Sequence, residues 1–149
     1  MKKHTEDSKE LLRVIRNWQA IEDKTIASAR ELMDKTDNPI IKMAMEMASH
    51  DSEKHKVMQQ MIIDNVTKEA VHLSPDELAQ LAGLLNEHME MEARSMALAN
   101  EALEKSELFM TRYILSYLIA DEEKHHDMMN KLLDDLKAAS VPTSVSSRF

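Results

Sequence analysis

The chain has 149 residues, a net charge of −8 with acids and bases interspersed, one glycine, three prolines and no cysteine. That length suits one ordinary domain with a core of its own. The lack of cysteine excludes a disulfide framework, a thiolate zinc site and an iron–sulfur or rubredoxin-type centre, and the acidic balance argues against nucleic acid as a partner.

Ala, Glu, Lys, Leu and Met dominate, and period-two runs of β-branched residues are scarce, so the expected class is all-α. The start, Met1 to Asp7, lacks the apolar stretch of a signal peptide. No apolar run approaches ~20 residues, so no membrane span is expected and the protein reads as cytoplasmic. The first helix is predicted from about Thr5 to Lys35, with an apolar stripe of Leu11, Ile15, Trp18, Ile26, Ala29 and Met33. Asp37-Asn38-Pro39 ends it, and Pro39 suits the first turn of a second helix that reaches the Val66 region. The inner stripe of that helix is expected at Ile41, Met45, Ala48, Ile62 and Val66.

The connection from Thr67 to Leu73 has no defined form in the sequence; a long crossover and a simple turn both remain open. Ser74-Pro75-Asp76-Glu77 then has the pattern of a capping box with proline at the first helical position. The third helix is expected to run to about Glu104, with Leu78, Leu81, Leu85, Met96, Ala99 and Leu103 inward. Ser106 is expected to cap a fourth helix with Leu115, Leu118, Met129, Leu132 and Leu136 inward. The domain is thus placed at 1–139 and an irregular tail at 140–149.

The two halves resemble each other at an offset of 70 residues. Glu22 aligns with Glu92, and Asp51-Ser52-Glu53-Lys54-His55 with Asp121-Glu122-Glu123-Lys124-His125. This is the signature of a duplicated helical hairpin. Glu22, His55, Glu92, Glu122 and His125 all interrupt the predicted apolar stripes near the middle of their helices. A single charged residue on a helix is usually solvated, but five at repeat-equivalent positions form a pattern. Residues three apart share a helix face, so Glu122 and His125 can grip one ion from adjacent turns. Inward carboxylates are costly unless cations compensate them, and divalent metal ions are the natural compensation.

These residues resemble those of the rubrerythrin and ferritin-like superfamily. Glu122-Glu123-Lys124-His125 matches the family's Glu-x-x-His on the fourth helix, Glu92 the third-helix Glu, Glu22 the first-helix Glu and His55 the second-helix His. The segment 29–42 also resembles the family's first hairpin, and the likeness spans roughly 10–136. It implies a ferritin-like antiparallel four-helix bundle and a non-haem metal centre of one or two ions, iron first, with manganese or zinc also compatible with a set of two imidazoles and three carboxylates. An oxidoreductase acting on peroxide or oxygen with an external electron donor is the implied activity; a non-catalytic metal-binding or storage protein and a structural bundle with a degenerate site are the alternatives. Analogy with long bundles implies a homodimer. The sequence departs from the pattern at Ser52, where the family has a metal-bridging Glu.

Several residues carry two readings. His88, one turn before Glu92, is a packed neighbour or an added ligand. His126 pairs with Glu123 in a shifted Glu-x-x-His register, against which the apolar stripe favours 122 and 125. Glu46, His50 and Glu53 read as a solvated face or a subunit contact. The thirteen methionines read as core filling rather than a copper site, and Tyr113 and Tyr117 as packing residues with hydroxyls free to reach polar partners.

Overall fold

A computed structural model describes the backbone of residues 2–68 and 74–140; side chains of 2–4, 78 and 135–140 lie outside the described part. All regular structure in it is helical: α1 Lys2–Asp34, α2 Pro39–Thr67, α3 Pro75–Lys105 and α4 Phe109–Ser140. No helix among the described residues is long and apolar enough to cross a membrane. The chain divides into two compact units, Met1–Val71 and His72–Phe149. The first pairs α1 with α2 and the second pairs α3 with α4, each as an antiparallel hairpin with a short connection. The expected joint at 67–73 falls largely outside the described residues, as does the 140–149 tail beyond its first position.

The helix boundaries follow from local chemistry. Asn38 caps α2: its side-chain oxygen accepts from the Ile40 and Ile41 amides at 3.0 and 3.4 Å, with Pro39 behind it where no amide hydrogen is needed. Ser74 and Glu77 form the reciprocal capping box, with the Glu77 amide donating to the Ser74 hydroxyl at 3.2 Å and the Ser74 amide donating to Glu77 Oε2 at 2.8 Å. That amide holds the Glu77 carboxyl below its usual range.

Ser106 takes a different part from the one expected of it. It closes α3, its amide donating to the Leu103 carbonyl at 3.3 Å, and α4 begins three residues later. The reason lies in Arg112, whose guanidinium donates to the Leu103 and Ser106 carbonyls at 2.6 and 2.9 Å. It satisfies carbonyls that the end of α3 leaves without intrahelical partners.

Each hairpin buries the seam between its two helices. In the first, Ile15, Ile26 and Ala29 of α1 and Ile63 of α2 are buried along the seam, and the rest of the buried seam is polar: Glu22, Ser49, Ser52 and Gln59. Each buried Ile contributes about 1.5–3 kcal/mol, and the small Ser49 and Ser52 keep the α2 side of the seam narrow. In the second, Glu92 and Leu133 are buried, with Leu85, Met96, Ala99, Leu103, Leu115, Ile119 and Met129 half-buried. The seams repeat at the 70-residue offset: positions 15, 22, 26, 29 and 33 return at 85, 92, 96, 99 and 103, and positions 49, 52, 59 and 63 at 119, 122, 129 and 133.

The predicted stripes are correct in part. Leu11 and Trp18 of α1, Ile41 and Ile62 of α2, Leu81 of α3, and Leu118 and Leu132 of α4 are exposed. The expected inward positions of Leu78 and Leu136 fall outside the described side chains. The physical reason is that a hairpin seam is narrower than an apolar stripe. On α2 the seam follows 49, 52, 59 and 63, and the stripe 41, 48, 55, 62 lies beside it.

Removing the α2 cap tests this local account. Asn38→Ala is expected to destabilise the first hairpin by about 1 kcal/mol, and Asn38→Asp, which keeps the accepting oxygen, to retain most of the wild-type stability. Urea denaturation followed by circular dichroism checks it; an unshifted midpoint for Asn38→Ala means the cap contributes nothing.

Candidate metal centre

The second hairpin gathers three of the predicted ligands. Glu92 projects from α3 and is only 7% exposed. Glu122 and His125 project from adjacent turns of α4 and are half-buried. One ligand atom from each lies within 4.8 Å of the other two, near enough for small side-chain movements to bring all three onto one ion with ~2 Å bonds. They line an open cleft of about 570 Å³ together with His88 and Ser95, its apolar wall supplied by Met91, Met128 and Met129.

The Glu92 carboxylate makes unequal use of its two oxygens. Oε1 lies 2.8 Å from His88 Nε2, one turn earlier on α3. Oε2 is buried without a hydrogen-bond partner, and so is Nδ1 of His126, which faces it at 4.0 Å. An unpaired buried carboxylate oxygen carries its desolvation cost with no return. A set of carboxylate and imidazole donors without thiolate suits iron, manganese or zinc. The residues therefore fit a metal ion. His125 is oriented from behind by Asp121, whose Oδ2 lies 3.9 Å from its Nε2, and Asp121 is in turn paired with Lys124 at 3.1 Å.

The first hairpin brings Glu22 and His55 together in another way. Glu22 is 6% exposed; His55 Nδ1 lies 3.1 Å from its Oε1 and Gln59 Nε2 donates to the same oxygen at 3.5 Å. The Ser52 hydroxyl also hydrogen-bonds to Glu22 and is the largest cause holding its carboxyl below the usual range, opposed by burial and assisted by His55 and Gln59. Ser52 is itself buried. A hydroxyl donor thus stands where the resemblance expects a second carboxylate, and Glu22 has its charge met by protein hydrogen bonds. His55 is half-exposed, beside the seam rather than within it.

The two groups lie one in each hairpin, at repeat-equivalent positions. Sequence reasoning missed Gln59 and the donor role of Ser52. The signal was present: Ser49, Ser52 and Gln59 recur at heptad-like spacing along one face of α2. It also set His126 aside with the shifted register, although the structure turns both 125 and 126 partly inward. The Glu46, His50 and Glu53 face is exposed, as expected, with Arg30 reaching Glu53 at 3.5 Å.

The lowered acidity range of Glu22 sets a pH dependence. A carboxylate depressed in the folded state contributes stability above its unfolded pKa, near the ordinary 4.5, and loses it as pH falls through the folded value. Ser52→Ala is expected to move the Glu22 midpoint upward toward 4.5 and to shrink the stability gained between acid and neutral pH. Carboxyl NMR titration checks this; an unmoved midpoint would show that the hydroxyl does not hold the charge.

No protein-family model matches the chain, and no curated protein or solved structure matches it either. What the centre can do follows from its own donor atoms.

Proposed function

We propose that the chain is a non-haem metal-binding protein of rubrerythrin-like type, with iron as the metal, built as a ferritin-like four-helix bundle of its two hairpins. The observation that carries this reading is the convergence of ligand atoms from Glu92, Glu122 and His125 at one open cleft, where the Glu92 carboxylate is more than nine-tenths buried. Glu92, Glu122 and His125 hold the ion, and Glu22 and His55 are their repeat-equivalent residues in the first hairpin. Bound iron supplies one-electron chemistry toward peroxide or oxygen, with reducing equivalents from an external donor. The protein's own part is to fix the donors: Asp121 positions His125 from behind, and the methionine wall limits water on one side of the cleft.

A second reading, metal binding without turnover, is favoured by one observation. Ser52 and Gln59 satisfy Glu22 with hydrogen bonds, which leaves the first half-site with less need of a cation than the second.

Metal analysis of protein loaded with Fe(II) and desalted separates these readings. Glu122→Ala is expected to weaken binding more than about tenfold while helical content is retained; metal content equal to wild type sinks the ligand set. Peroxide consumption under reductant by the loaded protein supports the oxidoreductase, and bound iron without consumption supports storage.

A further inference from the structure

His126 is a half-buried imidazole, its Nδ1 atom buried, that the ligand set does not use. It follows His125 directly on α4, so the two rings leave the helix about 100° apart and serve different sides of α3. His125 lines the cleft with His88 and Glu122. His126 lines a second cleft of about 400 Å³ with Asn86 and Glu90, one turn apart on α3. The Glu92 carboxylate serves both sides, with Oε1 against His88 and Oε2 toward His126.

The gap between Glu92 Oε2 and His126 Nδ1 is 4.0 Å. That is beyond hydrogen-bond reach, whose upper end is about 3.2 Å. It is the span of two metal–ligand bonds of ~2.0–2.2 Å that lie nearly opposite each other on one ion. Both atoms are buried and neither has a partner.

We propose that the second hairpin holds a divalent cation between Glu92 Oε2 and His126 Nδ1, separate from the ion held by Glu122 and His125. The inference rests on the metal-binding reading of Glu92, and deepens it by adding a position and a ligand. Two protein donors leave the remaining coordination to water, for which the cleft beside Asn86 and Glu90 has room, with the Glu90 carboxylate available to accept from those waters. A mixed imidazole and carboxylate pair takes zinc, manganese or ferrous iron. With fewer protein ligands, this position binds more weakly than the first and is the first to empty on dialysis.

Zinc(II) titration of the full chain by calorimetry, with ¹⁵N NMR of the histidine rings, tests it. The expected result is two equivalents per chain, with the Nδ1 resonance of His126 in the wild type shifting as the weaker one binds. His126→Gln is expected to lose the weaker equivalent and keep the tighter; Glu122→Ala is expected to lose the tighter. A His126 ring whose nitrogen resonances stay unmoved at saturating zinc, or a His126→Gln protein that binds like wild type, overturns the second position and leaves the first intact. Glu122→Ala without effect overturns the metal reading of Glu122 instead. The ring resonances are read in the unaltered protein, so a His126 variant that folds poorly does not decide the matter.

Discussion

A carboxylate placed in the seam between two packed helices is the constraint on which each hairpin depends. Glu22 and Glu92 occupy the same position in the two halves, and both are more than nine-tenths buried. A buried negative charge is tolerated only when its lost hydration is replaced. The hairpins replace it differently. The first surrounds Glu22 with a hydroxyl, an imidazole and an amide. The second leaves one oxygen of Glu92 bare beside a gathering of acid and imidazole. The first arrangement meets the carboxylate with protein hydrogen bonds, leaving Gln59 Oε1 buried without a partner, and the second leaves an oxygen of the carboxylate itself without one.

Helix ends were the most legible part of the fold. Asn38-Pro39 and Ser74-Pro75-Asp76-Glu77 carry their geometry in their own chemistry, because a cap is a contact among residues two or three apart. The 70-residue offset was legible for the same kind of reason: repeat-equivalent seam positions need similar residues. The phase of the buried seam was less so. Ile41, Ile62 and Trp18 lie on apolar stripes in the sequence yet are exposed, because periodicity identifies an apolar face and not the narrower line along which one particular neighbour packs. The start of α4 was misplaced because the groups that fix it, Arg112 and two carbonyls, are six and nine residues apart and form no short motif.

The candidate centre was legible where residues three apart share a face, as Glu122 and His125 do, and where duplication pairs Glu22 with Glu92. It was illegible where a side chain's role depends on its partner across the seam. Ser52 reads in the sequence as a lost ligand, and only the distance to Glu22 makes it a donor. His126 reads as the discarded half of a register choice. That choice assumed one inward face on α4, whereas the seam admits two adjacent residues, His125 facing one cleft and His126 the other.

Comparing equivalent positions shows where the two halves have diverged. Glu122, His88 and His126 of the second hairpin correspond to Ser52, Trp18 and Lys56 of the first. Each exchange removes a metal donor from the first half or adds one to the second. Lys56 is the most telling of the three: it carries its own positive charge at the position where His126 offers a lone pair, and spends it on Asp23 at 2.5 Å, across from a position that is Ala93 in the second half. Gln59 follows the same rule, an amide donor to Glu22 where the second hairpin has the non-donating Met129. Ser52 and Gln59 thus supply protons to the buried carboxylate of the first hairpin, and Glu122 and Met129 at the equivalent positions have none to give to that of the second. The first copy keeps a hydrogen-bonded polar seam, and the second gathers acid and imidazole side chains around its carboxylate.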